Sequence, residues 1–226
     1  MSITAETATA QLKKEFQFTL SKFSHEIRNP IALINSELQL MASSHPELCS
    51  YQQWDSLMDN LEYIRELLNE LSDFSHAGTI SPAPVNPKEF LSTVLSCEKN
   101  TLEYLGITLE THLEDISFPI FLDRVKMRQA LLNLIRNASE SIEHPKGKII
   151  VCLRKCEKGI CISIQDNGCG MTKEQVQTVF SPFVTYKDGG TGLGLAVTNE
   201  IITAHHGQIV IDSRPGYGST FRIFLH

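Results

Sequence analysis

The chain has 226 residues, 42% of them hydrophobic and 20% charged, enough to bury a core across about one and a half average domains. That excludes a disulfide-held miniature fold and a disordered tail. Twenty Lys and Arg against 26 Asp and Glu leave a formal charge of −6, so no basic surplus marks it for nucleic acid or an anionic membrane, and any phosphate must be held locally.

The N-terminus MSITAETATA lacks the charged-then-apolar order of a signal peptide, and no run approaches the ~20 apolar residues of a spanning helix. The chain therefore reads as cytoplasmic, without membrane contact of its own. From about Ala8 to His76 the pattern is helical: Leu20, Phe23, Ile27, Ile34, Leu38 and Met41 recur at helical steps, and so do Trp54, Leu57, Leu61, Ile64, Leu68 and Leu71. Pro46, within SSHPELCS, breaks the two runs apart, which predicts an antiparallel hairpin over residues 1–76. Each apolar seam needs a partner. A second copy supplies it as a dimeric four-helix bundle, and packing against the rest of the same chain is the alternative.

At about 100° per residue, His25 falls opposite the first seam and faces solvent. An exposed helical histidine is ordinarily a plain surface residue; its neighbours set this one apart. Glu26 adjoins it and could orient or deprotonate the imidazole, making a ring nitrogen a better nucleophile. Asn29 lies one turn on, and Pro30 withdraws a backbone donor from the helix. A zinc-protease HExxH motif is excluded because Asn29 stands where the second histidine would be.

The segment AGTISPAPVNP, residues 77–87, carries Pro82, Pro84 and Pro87 and reads as a linker. Residues 88–226 then read as a second domain. Helices are expected over Lys88–Leu105, Arg124–Ile142, Lys173–Val179 and Leu193–His205. Strands are expected over Ile107–Leu113, Phe118–Asp123, Lys148–Arg154, Ile160–Gln165, Gln208–Asp212 and Thr220–Leu225. That order suggests an α/β sandwich with helices on one face of a sheet. Six cysteines (Cys49, Cys97, Cys152, Cys156, Cys161, Cys169) make no CxxC pair and read as small buried thiols, with a zinc site as the remote option.

Four blocks of this domain look like one site. In NLIRNASE, Asn133 and Asn137 are four apart on one helix face, and amide oxygens suit Mg²⁺ and its waters. In DNGCGM, Asp166 offers a carboxylate to an amino group such as adenine's, while Gly168 and Gly170 allow close backbone approach; such a strand end is otherwise a common turn. GGTGLGLA opens a helix, and Gly190, Thr191, Gly192, Leu193 and Gly194 make a candidate phosphate cradle. It has neither a Walker Gly-Lys-Ser/Thr ending nor the surrounding βαβ repeat of a Rossmann unit. FSPFVTYKDGG reads as a lid, with Phe180 against the nucleotide and Lys187 for phosphate. GYGSTF adds Thr220 as a candidate contact, unless that block is only a hairpin turn.

In content and order these blocks resemble bacterial sensor histidine kinases, over nearly the whole chain from about Phe16. FSHEIRNPI resembles the H-box, NLIRNASE the N-box, DNGCGM the G1 box, FSPF the F-box and GGTGLGLA the G2 box. The resemblance implies a dimerisation and histidine-phosphotransfer hairpin followed by a Bergerat-type ATP-binding domain. It implies that His25 takes the γ-phosphoryl group of ATP, Asn137 binds Mg²⁺, Asn133 supports the phosphates, Asp166 reads adenine, and Gly192 and Gly194 embrace the triphosphate. Its implied partners are a second copy of the chain and a response regulator receiver domain, whose dephosphorylation Asn29 would serve. Two departures stand out. Many family members carry a basic residue where this chain has Glu140, so Arg136 or Lys187 would have to supply the phosphate contact. No sensor, membrane span or receiver domain is evident either, so the chain reads as a naturally minimal kinase or, the favoured reading, as the catalytic core cut from a longer sensor, a membrane-bound one being an option. The rivals are a hydrolysing ATPase of the gyrase and Hsp90 kind and a non-catalytic dimeric scaffold. The hydrolytic relatives place a Glu four residues before the Mg²⁺-binding Asn, where this chain has Asn133.

Overall fold

Apolar steps of three and four make the N-terminal third of the chain two long helices, α1 (Ser2–Ser44) and α2 (Gln52–His76). The computed structural model describes residues 2–187 and 189–226, with side chains from Glu15 onward. It divides into two compact units, Met1–His76 and Ala77–His226. Between α1 and α2, Pro46 opens a short 3-10 turn, Pro46–Ser50, after His45 N–H closes α1 on the Met41 carbonyl at 2.8 Å. Arg28 of α1 reaches the Leu68 carbonyl and Asn69 Oδ1 of α2 at 3.4 and 3.3 Å. Residue 28 lies 44 − 28 = 16 positions from the end of α1, and residue 68 lies 68 − 52 = 16 from the start of α2. Equal offsets on either side of the turn make the pair antiparallel.

Only part of each seam is covered. Leu61 and Leu68 are buried, and Leu20, Ile27, Leu38, Trp54, Ile64 and Leu71 half-buried. Phe23, Ile34, Met41 and Leu57 remain 55, 44, 49 and 42% exposed. Two helices meet along one line, and these stripes are wider than that line.

In the second unit every second residue of three strands points to one face: Ile149, Val151 and Leu153 of β4 (Lys148–Cys156), Ile160, Ile162 and Ile164 of β5 (Gly159–Asp166), and Phe221, Ile223 and Leu225 of β7 (Gly218–Leu225). With β2 (Thr108–Leu113) and β6 (Gln208–Arg214) they form a five-stranded sheet in the order β2-β4-β5-β7-β6. β2 runs parallel to β4, and the other pairs are antiparallel. The apolar face packs with α3 (Pro87–Tyr104) and α4 (Arg124–Glu140), whose Leu91, Leu102, Met127, Leu131 and Leu134 are all but inaccessible. Each such side chain contributes about 1.5–3 kcal/mol on burial. α5 (Lys173–Thr178) and α6 (Gly194–Ala204) complete the α/β sandwich.

The proline-rich segment is not a free linker. Ala83–Val85 is a strand, β1, paired antiparallel with β3 (Ile120–Leu122), and Val85 is buried. Prolines lack the donor a central strand needs, but a two-stranded edge ribbon tolerates them. Just beyond β3, Asp123 gathers three pieces of this unit. Its Oδ1 caps α4 by accepting from Val125 and Lys126 N–H, its Oδ2 accepts from Ser81 N–H at 2.9 Å, and its own N–H donates to Nε2 of buried His205 at 2.8 Å.

The cysteines correct the sequence expectation. All six are free; Cys49, Cys97 and Cys169 are exposed, and Cys152, Cys156 and Cys161 half-buried. The last three occupy strand positions alternating with the buried isoleucines and leucines, hence the sheet face away from the core. Among the described residues no His, Cys, Asp and Glu cluster forms a metal cage, and no helix is long and apolar enough to cross a membrane.

Candidate functional site

The site lies in the second unit, where the end of β5, one flank of α4 and the start of α6 face one another. Asp166 closes β5 with its side chain on the buried face. Its Oδ1 accepts from Gly168 N–H at 2.9 Å, Ser219 N–H at 3.2 Å and Ser141 Oγ at 3.2 Å. Burial pushes this carboxyl above the ordinary Asp range, and the three hydrogen bonds oppose that shift without cancelling it. All three use Oδ1, so Oδ2 is the oxygen best placed to accept from a ligand amino group. Gly168 cannot carry a side chain, because a Cβ would lie 2.1 Å from Ser141 Oγ.

Sequence reasoning found Asp166 and missed its supports. Ser141 and Ser219 carry no motif of their own; they follow from register, since Gln165 faces Thr220 across β5 and β7 and the next rung brings Ser219 beside Asp166. The same register corrects Thr220. It points to the opposite face of the sheet from Asp166, because neighbouring strand residues alternate. GYGSTF is a hairpin turn, closed by Tyr217 N–H on the Arg214 carbonyl, and its part in the site is to deliver the Ser219 amide.

On α4, Asn133 and Asn137 are half-buried on the flank beside the core. Asn133 Nδ2 donates to Thr198 Oγ1 of α6 at 2.8 Å, and Thr198 donates in turn to the Gly194 carbonyl at 3.0 Å. A Cβ on Gly194 would stand 2.5 Å from Asn133 Oδ1. Asn133 therefore ties the N-terminus of α6 to α4. Asn137 Oδ1 accepts from Lys187 Nζ at 2.9 Å, and Lys187 also pairs with Glu140 at 2.6 Å. Lys187, expected to serve phosphate, here faces the amide oxygen expected to serve Mg²⁺.

The loop before α6 is shaped for close approach. Gly192 has φ +71°, and a Cβ there would press within 2.6 Å of the Phe183 and Val184 backbone. Phe183 N–H donates to the Gly192 carbonyl at 3.0 Å. No side chain caps the N-terminus of α6, which leaves its first amides and the positive end of the helix for an anion. Leu193 is buried and Thr191 Oγ1 accepts from its N–H at 3.3 Å; both hold the loop rather than line it. Gly190 and Gly170 lie in the flanking turns, and half-buried Phe180 packs on the core below the lid.

In the first unit, His25 and Asn29 are exposed on α1, and α1 continues through Pro30. Glu26 turns to Lys22, 3.8 Å away one helical turn back, rather than to His25. Ser24 beside them is fully buried, its hydroxyl donating to the Leu20 carbonyl at 2.8 Å.

The profile of the histidine kinase-, DNA gyrase B- and HSP90-like ATPases matches residues 122–226. The signal transduction histidine-protein kinase AtoS of Escherichia coli is 31% identical over 203 residues, 89% of this chain and 33% of AtoS. Full-length ShkA, solved with AMPPNP, superposes with a TM-score of 0.77 at 25% identity, over 91% of this chain and 44% of ShkA. By sequence and fold the chain is similar to the catalytic core of sensor histidine kinases. The sensory histidine kinase/phosphatase NtrB of Vibrio alginolyticus is 28% identical over 216 residues, 89% of this chain and 60% of NtrB. The chain thus spans between a third and three fifths of the length of these curated relatives. Its ATPase region contains every pocket residue named above from Asn133 to Ser219.

Proposed function

We propose that the chain is an ATP-dependent protein histidine kinase core that phosphorylates itself on His25 and passes the phosphoryl group to an aspartate of a response regulator. The carrying observation is Asn133. It occupies the place from which hydrolytic relatives of this fold activate water, and its carboxamide is committed to Thr198. The acceptor then has to be a nucleophile brought from outside the pocket, and His25 is exposed on its helix.

In this reading Asp166 accepts from the adenine amino group through Oδ2. The uncapped α6 terminus with Gly190, Gly192 and Gly194 receives the phosphates, and Lys187 supplies a mobile positive charge. The pocket suits Mg²⁺ held by few protein atoms: Asn137 Oδ1 already accepts from a cation, the Lys187 ammonium, and phosphates and waters would complete the coordination. When bound, Mg²⁺ neutralises charge that builds on the departing phosphate oxygens. A ring nitrogen of His25 forms the N–P bond as the bond from the γ-phosphorus to the bridging oxygen breaks, and ADP leaves. Transfer to a regulator breaks that N–P bond and forms an O–P bond to its carboxylate.

Two further assignments belong to this reading. The exposed Phe23, Ile34, Met41 and Leu57 are covered by a second copy in a four-helix bundle. Asn29, one turn or roughly 6 Å along the axis from His25, orients a water at a docked phosphoaspartate. NtrB, a kinase/phosphatase by name, is a relative that supports this second activity. Asn29→Ala should leave His25 labelling largely intact and slow regulator dephosphorylation; equal loss in both half-reactions, or loss in neither, removes the assignment. The parent reading is tested by exposing labelled chain to acid and alkali, since phosphohistidine is lost in acid and survives base.

A further inference from the structure

Among the described residues, Glu140 is a carboxylate in direct contact with Lys187, a group assigned to phosphate, that this function does not use. It closes α4 one turn after Asn137. Its Oε2 lies 2.6 Å from Lys187 Nζ, and Arg136 Nε is 3.6 Å from its Oε1. The same ammonium donates to Asn137 Oδ1 at 2.9 Å. An internal cation thus sits at the amide oxygen assigned to Mg²⁺, and an ammonium and a divalent ion repel each other too strongly to share it. Lys187 belongs to the lid loop, so the position of its ammonium sets the position of the lid. The same loop is fastened by a 2.6 Å hydrogen bond between Thr178 Oγ1 and the Tyr186 hydroxyl, and it holds Phe183 at φ +65°, a conformation a bulky residue adopts only under constraint.

We propose that Glu140 is a positioning residue that parks Lys187 on Asn137 in the nucleotide-free chain, so that releasing the lid and loading Mg²⁺ with nucleotide are one event. The proposal rests on the nucleotide reading of this pocket. Mg²⁺ can take Asn137 Oδ1 only as Lys187 leaves it, and the freed ammonium becomes available to a phosphate. The latch is weak by construction, since Lys187 and Glu140 are each nearly half exposed. A ligand can therefore break it.

Amide hydrogen exchange on the whole chain, without nucleotide or Mg²⁺, reads the latch directly. Glu140→Gln should speed exchange across residues 184–187 about two- to fivefold, the range of a half-exposed ion pair, with α3 unchanged and Glu140→Asp close to native. Calorimetric titration with Mg²⁺ at saturating AMPPNP reads the competition: Lys187→Met should lower the half-saturating Mg²⁺ concentration by a similar factor. Native lid exchange in Glu140→Gln overturns the proposal, and so does an unchanged or raised Mg²⁺ requirement in Lys187→Met. A native chain that binds no AMPPNP overturns the nucleotide reading and the coupling with it, a result distinct from either because the exchange measurement needs no ligand.

Discussion

Asp166 combines a stability cost with the recognition role proposed for it, and a single substitution separates them. Its carboxyl is raised above the ordinary range by burial, so the native state holds the proton more tightly than the unfolded chain does. Whatever stability it contributes is fullest below the unfolded value of about 3.9 and is lost as pH rises through the folded value. Asp166→Asn keeps an oxygen for the three donors and removes the buried charge. At pH 7 to 8 its Tm should equal or exceed that of the native chain, while AMPPNP affinity falls about 10- to 100-fold, the worth of a hydrogen bond to a charged group. Thermal melts with and without AMPPNP check both halves, and an undiminished ligand shift would remove Asp166 from the site. Asp123 has the opposite sign. Burial works to raise its carboxyl, but the amides of Ser81, Lys126 and Val125 outweigh burial and hold it below the ordinary range. Its contribution is present above the unfolded value and disappears as pH falls through the folded one. Asp123→Ala should cost about 1–2 kcal/mol in urea unfolding at pH 7, with the difference shrinking below about pH 4. A constant difference would mean the cap does not depend on the charge. Asp166 was legible because its neighbours form a pattern; Asp123, Ser141 and Ser219 were not, because their roles depend on β-register and on contacts from distant parts of the chain.

At the scale of elements, helices and strands were read nearly to their ends, since periods of 3.6 and 2 are printed directly in the apolar positions. β1 was lost because three prolines outweighed a single buried valine in a three-residue strand. The helical stripe was read correctly as a stripe, but how much of it the hairpin covers depends on packing width. That difference gives a prediction that separates folding from association. Leu68 is buried and Ile34 is 44% exposed. Leu68→Glu should melt the hairpin, an unpaired buried charge costing several kcal/mol. Ile34→Glu should keep the helical circular dichroism signal and convert dimer to monomer. Light scattering on the native chain and both variants decides it, and a native monomer counts directly against the bundle.

At the scale of the whole molecule, one chain carries an exposed histidine on a helical hairpin and a nucleotide-type pocket in a separate α/β unit. Neither unit alone would transfer a phosphoryl group. The two make a kinase only if the pocket's nucleotide reaches His25, which no sequence pattern can show. The decisive measurement is incubation with γ-labelled ATP and Mg²⁺, comparing the native chain with His25→Gln after each has been shown to bind AMPPNP. The account predicts alkali-stable, acid-labile label on the native chain and none on His25→Gln at equal AMPPNP affinity. Label that persists in His25→Gln, or a native chain that binds AMPPNP and never becomes labelled, would contradict it.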